Sequence, residues 1–253
     1  MNDSLGDRIK NYEDVFNQKL PNRIPVIIRI DGKAFHTWTK KSKCVKPFDE
    51  KLVNLMGETT KFLCENISGC ICGYCQSDEI SLLLMNNQTN QTQPWFDNRI
   101  QKITSVSSSL ATYYFNINNP FQNKYPAYFD SRVFVLPEND IINYFIWRQR
   151  DATKNSISSL AHSLYSTKEL LNKNSDEKQE LCFQKGYNWN DLPISYKRGI
   201  LVYKKKSNTP LINKKTGEIT YRNHFFIDKE MEIIKYDKDC ILYKIFNGDN
   251  INE

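Results

Sequence analysis

The stretch IPVIIRIDGKAFH, residues 24–36, decides how the rest of the chain is read. Ile24, Val26, Ile27, Ile28 and Ile30 form an apolar, β-branched run bounded by Pro25, which predicts a buried strand over 24–31. The residues after it do not suit a strand: Asp31 and Gly32, then Lys33, Ala34, Phe35 and His36. Two readings account for them. Asp31-Gly32 is an ordinary strand-ending turn, or Asp31 is a carboxylate held at a sheet's end to grip a metal, with Gly32 letting backbone come close.

Outward from there, Pro47 precedes a helix over Asp49 to Glu65, with Phe48, Leu52, Leu55, Met56, Phe62 and Leu63 recurring every three or four residues. Residues 70–75 and 79–85 read as two strands joined by the tight QSDE connection. A second helix is expected from about Phe96 to Phe115 and a further strand at RVFVL, 132–136. Strand, helix, strand, strand, helix, strand is the split βαβ, ferredoxin-type order of an α+β protein. In that order the first strand and the hairpin between strands two and three end side by side. Asp31 and Asp78 are therefore expected to be neighbours although far apart in the chain.

Two carboxylates on one sheet edge can hold two Mg²⁺ ions about 4 Å apart, which activate an attacking oxygen and stabilise a leaving pyrophosphate. Magnesium takes oxygen ligands and shares its shell with substrate phosphates. Polymerase palms and nucleotide cyclases both carry a βαββαβ core with such carboxylates, so a palm-like core is expected over about 23–136. Beyond it, PEND opens a helix over 137–150, and another helix is expected through SISSLAHSLY. The polar segment 172–180 is expected to be exposed or mobile. Strands are expected at 199–203 and 218–228, around a turn at Thr216-Gly217. With no repeat and no linker composition, a single catalytic domain over 1–253 is the simplest organisation, the helices and strands of about 137–253 wrapping the core.

The chain has 253 residues, 35 Lys and Arg against 29 Asp and Glu, a modest basic excess that only weakly points to nucleic acid. Its apolar runs are far shorter than the roughly 20 residues of a membrane span, so no membrane partner is expected. Acidic residues at 3, 7, 13 and 14 argue against a transit peptide, and no apolar h-region is present, so a cytoplasmic rather than mitochondrial location is expected. Seven cysteines, an odd number without secretory context, argue against a disulfide framework. Cys72-Gly-Tyr-Cys75 has zinc-like spacing but no second ligand pair, so Cys64, Cys70, Cys72 and Cys75 read as buried thiols. The lysines at 204–206, with Lys197 and Arg198, form either a solvated edge or a track for a phosphate backbone.

Five stretches in order, RIDGKAFH (29–36), KPFD (46–49), QSDEIS (76–81), FDSRV (129–133) and WRQRDATKNSI (147–157), resemble successive blocks of the tRNA(His) guanylyltransferase family. The resemblance implies a 3′–5′ nucleotide polymerase that extends the 5′ end of RNA, with tRNA and nucleoside triphosphates, ATP and GTP among them, as partners and substrates. It implies that Asp31, Gly32 and Asp78 hold the two metal ions and that Glu79 supports them in a catalytic role. It places the nucleotide on Lys33, Ala34, Phe35, His36 and Ser77, with Lys46 near the phosphates, and makes Arg29, Arg99 and Lys102 triphosphate or RNA contacts. It further implies a homotetramer. Where the guanylyltransferases proper carry His-Ile-Asn-Asn after the WRQ block, this chain has ATKNSI, which is similar to the guanylyltransferase-like branch. That branch implies templated repair or editing of truncated tRNA, with ATP activating the 5′-monophosphate, rather than addition of the extra 5′ G to tRNA(His). A nucleotide cyclase, needing the same metals without RNA, and a non-catalytic RNA-binding palm are the readings from other classes.

Overall fold

A computed structural model of the protein describes residues 4–87, 89, 91–121, 125–212, 219–249 and 251. Six strands form one sheet: β1 (Val26–Gly32), β2 (Cys70–Gln76), β3 (Glu79–Leu84), β4 (Phe129–Val135), β5 (Ile200–Ile212) and β6 (Ile219–Asp228). Their order is β4-β1-β3-β2-β5-β6, and every neighbouring pair is antiparallel. The expected hairpin and crossovers thus hold for the first four strands, and the last two extend the same sheet past β2.

The alternation of β1 divides the core in two. Val26, Ile28 and Ile30 face one layer with α3 (Glu50–Asn66) and α4 (Ile100–Ile117). Ile27 faces the other, with Ile141, Ile142 and Phe145 of α5 (Glu138–Leu164) and Leu242 of α8 (Ile241–Asn247). Each fully buried isoleucine contributes about 1.5–3 kcal/mol, so both layers lock the register that ends β1 at Asp31. By the same alternation Arg29 and Asp31 share the α5 side with Ile27. The remaining helices are α1 (Ser4–Asp14), α2 (Phe35–Lys41), α6 (Ser175–Gln184) and α7 (Ile194–Arg198).

Two expectations change, and further helices come without a sequence expectation. The helix expected from Phe96 begins at Ile100, because Phe96, Asp97 and Asn98 adopt left-handed φ of 50°, 54° and 57° and break it. The two helices expected after residue 137 are one 27-residue helix, α5, since neither Pro nor Gly interrupts it. The polar segment 172–180 is exposed or half-buried, in line with its expectation, and part of it is α6, started by a capping box in which Asn174 accepts from Glu177 N and Glu177 reaches back to Asn174 N. The helix α2 had no sequence expectation. The turn at Thr216-Gly217 lies outside the described residues.

Candidate active site

Antiparallel pairing sets Asp31 opposite Glu79, and the Gly32 amide donates to the Asp78 carbonyl at 3.1 Å. The strand end and the hairpin are therefore stitched together. Ser77, at φ 51°, makes the tight turn and its hydroxyl donates to Asp78 Oδ1 at 3.0 Å. Burial, chiefly, pushes the Asp78 carboxyl above the usual carboxylate range, and the neighbouring Asp31 adds to it while the Ser77 hydrogen bond opposes it. Among the described residues no lysine or arginine pairs with Asp31 or Asp78.

Glu79 is placed differently. Arg148 of α5, 4% exposed, brings Nε to 2.7 Å from Glu79 Oε1, an ion contact without hydrogen-bond alignment, and donates Nη2 to Oε2 at 3.1 Å. Burial raises the Glu79 carboxyl, and Arg148 and Arg29 pull it back. Arg148 also pairs with Asp151 at 2.9 Å, and Asn155 Nδ2 donates to Asp151 at 3.3 Å. A chain of polar side chains thus runs from the sheet end along α5. Sequence reading leaves Arg148 and Asn155 without assigned roles and does not reach Asp151. The signal available was their three- and four-residue spacing within one block, which puts them on one helix face.

These groups open into a cleft of about 760 Å³ lined by Asp31, Phe35, His36, Lys46, Ser77, Asp78, Glu79, Arg148, Asp151 and Asn155, among others. Its further wall carries Ser158, Ser159 and His162 of α5, with Phe48 stacked on Tyr196 at 5.0 Å. Asp49 holds the segment carrying Lys46 in place. Its carboxylate caps α3 through Lys51 N and Leu52 N and also accepts from Val45 N at 2.7 Å.

Gly32, Lys33 and Ala34, between the lining residues Asp31 and Phe35, do not themselves line the cleft. A Cβ on Gly32 would meet the Phe35 ring at 2.2 Å, so this glycine makes room for an aromatic as well as for the turn. The Phe35 side chain itself is buried against Trp38, Phe115 and Phe129, which leaves chiefly its backbone for a ligand. Arg29 lies beside Glu79, its buried Nε without a hydrogen-bond partner among the described residues. Arg99 and Lys102 are not brought to the site. They start α4, whose other end packs Phe115 on Phe35, and a helix of that length separates its ends by about 25 Å at 1.5 Å per residue.

No group of three or more His, Cys, Asp or Glu is arranged to hold a metal among the described residues. The seven cysteines are free, and Cys72 and Cys75 belong to opposite faces of the sheet, so the zinc-like spacing makes no zinc site. No helix of the described residues is long and apolar enough to cross a membrane.

Comparison with known proteins places this geometry. The model of the tRNA(His) guanylyltransferase family matches residues 6–137. A bacterial tRNA(His) guanylyltransferase-like protein in complex with ATP has a similar structure at TM-score 0.84 and 44% identity, over 96% of this chain and 99% of that one. Its counterpart in complex with GTP gives 0.80 and 43% over the same shares. A probable tRNA(His) guanylyltransferase of Dictyostelium discoideum is 28% identical over 236 residues, 86% of this chain and 88% of that protein. With the family's model matching residues 6–137 and curated members and solved structures of the family covering most of its length, the chain belongs to the tRNA(His) guanylyltransferase family and is a nucleotidyltransferase.

Proposed function

We propose that the protein adds nucleotides in the 3′–5′ direction to the 5′ end of truncated tRNA by copying the opposite strand. The observation that carries this reading is the higher identity to the bacterial guanylyltransferase-like protein, 44%, than to the Dictyostelium guanylyltransferase, 28%. The ATKNSI segment agrees with it.

Asp31 and Asp78 are a donor pair without a cationic partner among the described residues, the carboxyl of Asp78 raised by burial, which suits a divalent cation; Glu79 is taken up by Arg148. In a palm-like arrangement Asp31, Asp78 and the Gly32 carbonyl would hold two Mg²⁺ ions. Magnesium bound there supplies charge neutralisation on the phosphates and a more acidic attacking hydroxyl. The chain's own part is positioning. Ser77 and the backbone of Lys33 to His36 hold the nucleoside triphosphate, and Lys46 faces its phosphates at the cleft wall.

The 5′-phosphate oxygen of the RNA first attacks the α-phosphorus of ATP, releasing pyrophosphate and leaving an adenylylated end. The 3′-hydroxyl of the incoming nucleotide then attacks the RNA's 5′ phosphorus. The new P–O bond replaces the bond to AMP, which departs, and a triphosphorylated end releases pyrophosphate instead. Fixed charges close to the transferring phosphoryl group stabilise its developing charge.

A homotetramer belongs to the same reading. Arg99 and Lys102 lie about a helix length from the carboxylates of their own chain, which leaves them for a triphosphate or RNA phosphate bound away from that pair. The test supplies Mg²⁺, ATP and labelled nucleotides with tRNAs lacking one to three 5′ nucleotides, beside full-length tRNA(His). Extension that follows the opposite strand supports the reading. A single G added to full-length tRNA(His) alone replaces it with the guanylyltransferase activity, and cyclic product without RNA replaces it with a cyclase.

A further inference from the structure

We infer that the lysine-rich edge formed by α2 and the segment after it is the docking surface for the RNA substrate's phosphate backbone near its 5′ end, an inference that rests on the proposed function. Between residues 33 and 46 the chain carries five lysines, Lys33, Lys40, Lys41, Lys43 and Lys46, and no Asp or Glu. The net charge of the whole protein is only +6, so most of its excess is concentrated in this short stretch.

The fold turns these lysines outward. In α2, Phe35 and Trp38 are buried in an aromatic cluster with Phe115, Phe121 and Phe129, and Trp38 Nε1 donates to the Tyr125 carbonyl at 3.1 Å. With that face anchored, Lys40 and Lys41 face solvent, and Lys43 follows them exposed, at φ 56°. Among the described residues none of the five lysines is in an ion pair. Basic charge packed together without acidic relief repels itself, a cost that a polyanion removes.

Two exposed aromatics flank the lysines. Tyr125, 52% exposed, has the Lys41 ammonium 4.1 Å from its ring centroid, and Tyr128, 56% exposed, receives the Lys33 amide on its carbonyl at 2.8 Å. Lysine beside accessible tyrosine suits a backbone with an unpaired or terminal base to stack, as at the frayed end of an acceptor stem. The surface also leads to the reaction. His36 and Lys46, at its margin, line the cleft that holds Asp31 and Asp78. A strand of RNA lying on it would deliver its 5′ end to the carboxylates.

The test measures binding of 5′-truncated tRNA against salt for the wild type, for Lys40→Gln/Lys41→Gln/Lys43→Gln, and for Lys10→Gln/Lys235→Gln/Lys238→Gln, which removes equal charge from exposed positions elsewhere. Each lost phosphate contact lowers the slope of log K against log salt by about 0.7–0.9. The α2 variant is expected to lose about 2 from the slope and roughly tenfold or more in affinity, with ATP binding measured without RNA unchanged. The control triple is expected to keep the wild-type slope. Equal losses in both triples, or an α2 variant that folds and binds RNA as the wild type does, overturns the inference. Tyr125→Ala/Tyr128→Ala should weaken binding with the slope retained, because stacking releases no counterions. If the wild type extends no truncated tRNA yet the α2 variant alone loses slope, the proposed function falls and the docking surface stands.

Discussion

At the scale of single residues, Asp31 and Asp78 carry the most weight because no lysine or arginine among the described residues pairs with them. Asp31→Ala and Asp78→Ala are each expected to lower kcat/KM for 5′ extension by roughly 10³-fold or more, since in the proposed function each removes ligation at the reacting phosphates. Activity within tenfold of wild type in either variant removes that residue from the site. The raised Asp78 carboxyl has a consequence for stability. Its folded titration lies above its unfolded one, so the ionised form works against folding once pH exceeds the unfolded value. Asp78→Asn is therefore expected to raise Tm at pH 7 without metal, with the gain fading as pH falls below the ordinary carboxylate range. A Tm at pH 7 equal to or below wild type contradicts this. Gly32→Ala should cost about 1–3 kcal/mol in chemical denaturation by driving a methyl into the Phe35 ring. The sequence made Asp31, Gly32 and Asp78 legible, because strand ends and tight turns have local signals. It did not reveal which way Phe35 points, since an aromatic beside a turn serves a core or a ligand equally well.

At the scale of elements, α5 joins the site to the rest of the fold. Its buried Arg148 neutralises Glu79, and Gln149 accepts from Ile234 N at 2.8 Å and donates to the Glu232 carbonyl at 3.0 Å, tying the C-terminal segment to the same helix. Removing one member of a buried ion pair leaves the other charge stranded. Arg148→Gln is expected to cost about 3–5 kcal/mol, and Arg148→Gln/Glu79→Gln to recover most of it, both read by urea denaturation. If the double variant is no more stable than the single, the pair is not coupled as described. In sequence this helix divides in two because Ser156, Ser158 and Ser159 dilute its apolar pattern. Ser156 instead accepts from the Trp189 indole at 2.9 Å in a buried contact that only the fold provides. By contrast the start of α6 was legible in principle, since Asn174 and Glu177 have capping-box spacing.

At the scale of the whole molecule, burial of ionisable groups limits alkaline stability. Cys75 is pushed up to about 12 by burial, Tyr203 to about 12 by burial and then Asp228, and Cys64, Cys72 and Tyr74 are raised chiefly by burial. Each is held neutral in the fold while its unfolded form ionises near pH 9 to 10. Stability is therefore full below about pH 9 and declines as pH rises towards about 12. A Tm that stays level from about pH 8 to about pH 11 contradicts this. The sheet's first four strands followed from element order alone, because crossover connections admit few arrangements. The pairing of β5 with β2 did not, since it joins strands with no local relation in sequence. That pairing bears on synthesis. The β2 edge from Cys72 to Cys75 can find its partner only after Ile200 to Tyr203 leave the ribosome. At roughly 5–20 residues per second the wait is on the order of ten seconds. For that interval the nascent chain presents an unpaired strand edge bearing two thiols, which makes this stage of translation the one most in need of a chaperone.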